Sequence, residues 1–188
     1  MDKKAVDKLI QHKQTEDSIK QEFEQTLSER VARYLEVKPH GIIPNTKFAP
    51  ASSECSLLFR DGHFYGCIAL VQAVAEALVR FFCQNNKKPV GKFENNLEQL
   101  FENGFITDDI RKSFLKIWER RNDYHHLNPT IETDRQELEK IAKEKAKLIV
   151  EIEKEIFSFA LSPDGKLIPK EPKYWEGCDN QAFLRLEP

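Results

Sequence analysis

HFYGCIALVQAVAEALVRFFCQ, residues 63–84, is the densest apolar stretch of the chain. Ile68, Leu70, Val71, Val74, Ala75, Leu78, Phe81 and Phe82 would cover more than one face of a helix. A surface helix carries a single apolar stripe, whereas one that is apolar on most sides is buried. The segment is therefore expected to be the central helix of an all-α domain, about 33 Å long at about 1.5 Å per residue. Glu76 and Arg80 stand four apart on it, close enough to pair with each other. A charge pair on a core helix stands out, because charges are seldom buried without a partner or a role.

Outward from this helix the chain continues to read as helix. Asn85, Asn86 and Pro89 end the central segment. KFENNLEQLFEN (92–103) predicts a shorter helix with Phe93, Leu97, Leu100 and Phe101 inward, closed by Gly104. Thr107 caps the next one, with Asp108 and Asp109 in its first turn, where carboxylates meet the positive helix end. That helix is expected to run through IRKSFLKIWERRND on the face Ile110, Phe114, Ile117 and Trp118, until Asn128-Pro129 breaks the pattern. Thr133-x-x-Gln136 has the form of a capping box. From there a long helix is expected to about Phe159, with Leu138, Ile141, Ala142, Leu148, Ile149, Ile152 and Ile156 on one stripe and a solvated Lys/Glu face opposite.

Four regions follow. Residues 1–37 form an N-terminal helical arm, one or two amphipathic helices with Val6, Leu9, Ile10, Ile19, Phe23, Leu27, Val31 and Tyr34 on a stripe that breaks around Gln11–Asp17. The break makes a free coiled coil the less expected use of it, against packing on the core or on a partner. Residues 38–53, with three prolines and a glycine in KPHGIIPNTKFAPAS, read as a linker loop. Residues 54–160 form the helical domain. Residues 161–188 carry Pro-Asp-Gly turn chemistry and read as a short irregular or hairpin tail, pinned by Ile168, Tyr174 and Trp175.

Composition narrows the function classes. With 29 basic and 31 acidic residues the net charge is −2, which argues against a surface coated for nonspecific nucleic-acid binding but leaves room for a local basic groove. No 18-residue run reads as wholly apolar, and MDKKAVDKLIQHKQ has no apolar signal region, so neither a membrane span nor secretion is expected, and the cytoplasm is. The four cysteines (55, 67, 83, 178) have no C-x-x-C spacing, so neither zinc nor disulfides are expected; Cys67 and Cys83 read as small buried hydrophobes. No cofactor is implied.

One cluster bears chemistry: RRNDYHH, Arg120 to His126, expected at the C-terminal end of the amphipathic helix that Thr107 caps, before the Asn128-Pro129 break. In a continuous helix Arg121 and His125 are i, i+4, as are Asn122 and His126, so guanidinium, amide and imidazole share one patch. Such a patch suits cleavage of RNA, in which the 2′-hydroxyl attacks its own phosphate. Histidine moves protons near neutral pH, and arginine holds the phosphate and offsets its growing charge. A two-fold dimer would double the set. The competing reading is structural, since basic residues in a last helical turn offset the helix dipole. Adjacent histidines point apart on a helix, so a metal site is not expected there.

Arg121-Asn122-Asp123-Tyr124-His125-His126 resembles the R-N-x-x-x-H form of the R-x(4-6)-H motif of the HEPN superfamily. The stretch HFYGCIALVQAVAEALVRFF is similar to the first core helix of that group, with Tyr65, Ala73, Ala75, Glu76 and Arg80 in the matching places, and the resemblance covers about residues 55–160. It implies a HEPN-like helical bundle that pairs two motifs across a homodimer. It also implies metal-independent endoribonuclease activity on RNA, often in toxin–antitoxin or antiviral (antiphage) defence systems, with an antitoxin or regulatory protein as a further partner. By this resemblance Arg121 and His126 are the catalytic pair and Asn122 their polar support. Arg120 with His125 is the alternative register, and Glu76, Arg80 and Tyr124 are supporting residues. His126 is followed by Leu127 and Asn128, so the H-x-Y form that accompanies nucleotidyltransferase antitoxins is missing. The rival reading is a non-catalytic helical dimer that binds RNA, a nucleotide or a protein.

Overall fold

The protein is mainly α-helical. The structure, a computed structural model, describes residues 2–176 and 181–185. In chain order the elements are α1 (Lys3–Glu36), β1 (Ile42–Pro44), α2 (Ala49–Arg60), α3 (Phe64–Asn85), α4 (Phe93–Glu102), α5 (Asp108–Trp118), α6 (Arg121–His126), α7 (Arg135–Ile156), β2 (Phe159–Leu161), β3 (Leu167–Pro169), a single 3-10 turn (Pro172–Tyr174) and β4 (Ala182–Leu184). Two antiparallel two-stranded sheets, β1 with β4 and β2 with β3, are small additions to the helices.

Helix α3 is the centre, as its apolar pattern requires. Cys67, Ile68, Val71, Val74, Ala75, Leu78, Val79, Phe82 and Cys83 on it are buried, packed between α2 and α7 with α4, α5 and α6 alongside. By length and composition α3 is also the one described helix apolar enough to cross a membrane, more so than the raw sequence suggested. In this fold 56% of that stretch is buried inside the protein. Cys55, Cys67 and Cys83 are free and buried; Cys178 lies outside the described residues.

The predicted caps mostly hold. Thr107 Oγ1 accepts from Ile110 N at 3.2 Å, Gly104 takes φ +66°, and α3 ends at Asn85. The α7 cap is one residue later than the capping box suggests: Asp134 Oδ1 accepts from Gln136 N and Glu137 N, both at 3.0 Å. A carboxylate competes well for that position because it also meets the helix dipole.

Residues 38–53 are not a linker. Ile43 and Ala49 are fully buried and Phe48 nearly so. Ile42–Pro44 pairs with the chain's far end, Ile42 opposite Leu184 and Pro44 opposite Ala182. Pro50 lies in the first turn of α2, where proline is tolerated because its missing N–H has no intrahelical acceptor. Composition misleads here because short edge strands and helix starts use the residues that mark loops.

The arm is a single helix. It runs unbroken through Gln11–Asp17, whose glutamine, lysine and glutamate residues favour helix and whose charges pair within it: Lys13 Nζ with Asp17 at 2.8 Å, and Lys20 with Glu16. The tail hairpin forms, turned by Gly165 at φ +79°. Tyr174 and Trp175 are buried, and Tyr174 Oη donates to the Phe105 carbonyl at 2.8 Å. Ile168, by contrast, is half exposed and pins nothing.

Candidate active site

The motif does not prolong α5. That helix stops at Trp118, Arg120 adopts the left-handed conformation (φ +58°), and Arg121–His126 starts a new six-residue helix, α6, which ends at left-handed Leu127 (φ +49°). Left-handed geometry costs a non-glycine residue roughly 1–2 kcal/mol and persists where the surroundings enforce it.

Two buried polar side chains enforce it, and neither stands out in the sequence. Lys145 of α7 donates through Nζ to the carbonyls of Lys116 (3.1 Å), Ile117 (2.7 Å) and Glu119 (3.1 Å). Gln72 of α3 donates through Nε2 to the Ile117 and Glu119 carbonyls at 3.0 and 3.2 Å. Together they satisfy three carbonyls at and just past the end of α5 and fix the direction in which α6 departs. Burial pushes the Lys145 ammonium down to about 8. Lys145 occupies a step of the α7 stripe Leu138, Ala142, Ile149, Ile152, Ile156, and a lysine at an apolar step is the signal that would have found it.

With 100° between successive residues, Arg121, His125, Asn122 and His126 follow one another around an arc of about 140° on α6. Arg121 Nη1 donates to Asn122 Oδ1 at 3.3 Å, and its guanidinium lies 5.3 Å from the centre of the Trp118 ring. Arg121 Nε is buried with no hydrogen-bond partner. His125 turns towards α3, within hydrogen-bonding reach of the Ala69 backbone and close to Glu76. Burial, followed by the nearby Arg121 charge, lowers its proton affinity below the ordinary imidazole value, and Nε2 is left without a partner. Asn122 and His126 are exposed at the solvent end of the arc.

The other predicted residues separate into groups. Arg120 is engaged on the opposite side of α6: Nε donates to Asp123 Oδ2 at 3.1 Å, Nη2 donates to the Thr130 carbonyl, and the guanidinium lies over the Tyr124 ring. It closes the loop after α6 and does not converge with His125. The Asn128 amide and Arg120 hold the Asp123 carboxyl below its usual range. Tyr124 is a core residue, 4% exposed, with its phenol pushed up by burial. Glu76 and Arg80 do pair, at 2.5 Å, but on the outer side of α3, where Arg80 is exposed and Glu76 half-buried. They are not a buried pair. Only Glu76 comes near the cluster.

Beside Arg80 the outer side of α3 opens into an apolar groove of about 740 Å³, with Phe48, Leu70, Val74, Ala77 and Phe81 in its walls. Among the described residues no group of three or more His, Cys, Asp or Glu side chains is placed to hold a metal ion. Compared with family models, curated proteins and solved structures, the chain has no match.

Proposed function

We propose that the protein is a metal-independent endoribonuclease of the HEPN type, acting on RNA as a homodimer with the two α6 helices facing each other. The observation that carries this reading is the arc Arg121–His125–Asn122–His126, lifted out of α5 by a left-handed turn that two buried donors hold in place. A polar helix end that only offset a dipole would not need its own helix, an enforced turn and an arginine Nε left unsatisfied.

Arg121, braced by Asn122 and Trp118, binds the scissile phosphate and offsets the charge that grows on it. His126, exposed and close to Asn122 on the arc, moves the proton of the attacking 2′-hydroxyl or of the leaving 5′-oxygen. The attacking oxygen forms a bond to phosphorus as the P–O5′ bond breaks, leaving a 2′,3′-cyclic phosphate and a 5′-hydroxyl. A second copy supplies the second histidine, and the open apolar groove beside Arg80 on the outer side of α3 is a face that such a copy would cover. Defence or toxin–antitoxin use, and a regulatory partner, belong to this reading as its biological setting.

The test is cleavage of RNA by the purified protein in EDTA, beside Arg121→Ala, His126→Ala and His125→Ala of equal fold. Cutting is expected for wild type, with a loss of at least 100-fold in the first two variants, and mass spectrometry should find cyclic phosphate ends. A wild-type protein that binds RNA without cutting it would favour the rival, a non-catalytic helical dimer.

A further inference from the structure

Helix α1 is 34 residues long and buries none of them. Its last turns meet the body, where Arg33 Nε donates to Glu139 Oε1 at 2.7 Å and Lys143 pairs with Glu36 at 3.1 Å. Along the helix, Leu9, Ile10, Ile19, Phe23, Leu27 and Val31 remain exposed, Leu9 at 62%. A lone helix in water draws little stability from propensity and is normally secured by packing an apolar face.

Two interleaved series at seven-residue spacing run down this face: Asp2, Leu9, Glu16, Phe23, Arg30, and Val6, Lys13, Lys20, Leu27, Tyr34. This is the seam spacing of paired helices, interrupted by charge at the centre. In a parallel pair each seam residue meets its own copy, so Lys13, Glu16 and Lys20 face like charge. In an antiparallel pair, with Leu9 set opposite Leu27, the same residues complement one another. Glu16 meets Lys20 twice, Lys13 meets the Phe23 ring, and Val6 lies along the Arg30 stem. Asp2 meets Tyr34.

An independent feature lies where that last contact falls. Phe23, Leu27, Arg30, Val31, Tyr34 and Arg60 line a shallow cleft of about 200 Å³, and Arg30 Nε and Tyr34 Oη are buried with no partner. Arg30 Nη1 already faces Asp61 at 3.7 Å; the incoming Asp2 carboxylate and Val6 methyls supply an acceptor for the unpartnered Nε and Oη and an apolar filling.

We propose that α1 is a self-association arm, which pairs antiparallel with α1 of a second copy in the register that places Leu9 opposite Leu27 and Glu16 opposite Lys20. The overlap of about 50 Å is long enough to bury a standard interface, on the order of 1,600 Å². The contact is separate from the α6 face and does not rest on the nuclease reading. If both contacts form, the assembly is a tetramer.

The experiment is the mass of the full-length protein by sedimentation velocity, with helicity followed by circular dichroism. Leu9→Asp lies far from the body and should halve the mass without loss of fold. Glu16→Lys should halve it as well, and Glu16→Lys/Lys20→Glu should restore it. Leu9→Cys mixed with Leu27→Cys should form an interchain disulfide that neither variant forms alone above the wild-type background. A monomeric wild type, a mass unmoved by Leu9→Asp, or crosslinking of Leu9→Cys with itself would each overturn the proposal. RNA cleavage is read on the same wild-type and Leu9→Asp samples: its absence in wild type bears on the nuclease, and the change in mass on Leu9→Asp bears on the arm.

Discussion

Lys145 Nζ lies 2.7 Å from the Ile117 carbonyl, and that contact ties α7 to the turn that launches α6. A buried ammonium facing three carbonyls rather than a carboxylate is an uncommon solution. Its charge is met by the partial charge at a helix C-terminus and, from further off, by the Glu119 and Glu144 carboxylates. Replacing Lys145 by methionine keeps the length and apolar stem and removes the donor. Gln72 still serves the Ile117 and Glu119 carbonyls, while Lys116 loses its bond from Lys145. The expected cost in urea unfolding is about 1–3 kcal/mol. If RNA cleavage depends on the aim of α6, kcat should fall more than the loss of folded protein explains, with conservative Lys145→Arg differing from Lys145→Met. A stability unchanged by Lys145→Met would show that the three carbonyls do not need this donor.

The same residue gives a pH dependence of definite sign. Its folded value is lowered to about 8, against 10.5 for the ordinary lysine. Between those values the unfolded chain holds the proton and the folded protein does not, so unfolding takes up a proton and stability rises with pH. Below about 8 both states are protonated and the contribution is flat. The difference in unfolding free energy between wild type and Lys145→Met should therefore widen from pH 8 to 10, by no more than about 3 kcal/mol. A difference that stays constant over this range would show that burial does not depress the ammonium.

The C-terminal strand is held by charge as well as by pairing with β1. Arg185 donates to both Glu153 oxygens, Nη1 to Oε2 at 2.6 Å and Nη2 to Oε1 at 3.0 Å, and to Ser52 Oγ at 2.6 Å and the His40 carbonyl at 2.9 Å. Both side chains are almost wholly buried. Breaking such a pair from one side leaves a buried charge and costs about 3–5 kcal/mol, whereas replacing both members can be nearly neutral. Arg185→Met should lower the melting temperature sharply, and Glu153→Gln added to it should recover part of the loss. A double variant as unstable as the sum of the singles would show that the two residues act apart.

What could be read from the sequence divides along physical lines. The α3, α4, α5 and α7 segments were legible because each buries one face at helical spacing, and the caps at Thr107 and Gly104 because their chemistry is local. The 38–53 segment was not, since Ile42–Pro44 becomes a strand only when Ala182–Leu184 arrives from the other end of the chain. The members of the RNDYHH cluster were legible, but their setting was not. Nothing local in WERRND shows that Arg120 turns left-handed, because the cause is Lys145 and Gln72, distant in the chain. The lysines and glutamates of α7 read as a solvated face, yet Lys145 and Glu153 are buried. A residue's side of a helix near the stripe edge depends on partners that the helix itself does not contain.

The two adjacent histidines should titrate as different groups. His125 is lowered first by burial and then by Arg121, with Glu76 and the Ala69 backbone acting the other way. It should be a neutral imidazole at pH 7, and its ring resonance, assigned with His125→Gln, should titrate below about 6.5. Since the unfolded chain holds that proton more tightly, stability is intact at neutral pH and is drawn down as pH falls from about 6.5 towards the folded value. Arg121→Gln removes a neighbouring positive charge and should move His125 up. Glu76→Gln removes a negative one and should move it further down. These opposite shifts would establish that Arg121, His125 and Glu76 form one electrostatic group across α6 and α3. A His125 that titrates at or above the ordinary value, or that ignores both substitutions, would separate α6 from α3 and leave His126 and Arg121 to act without it.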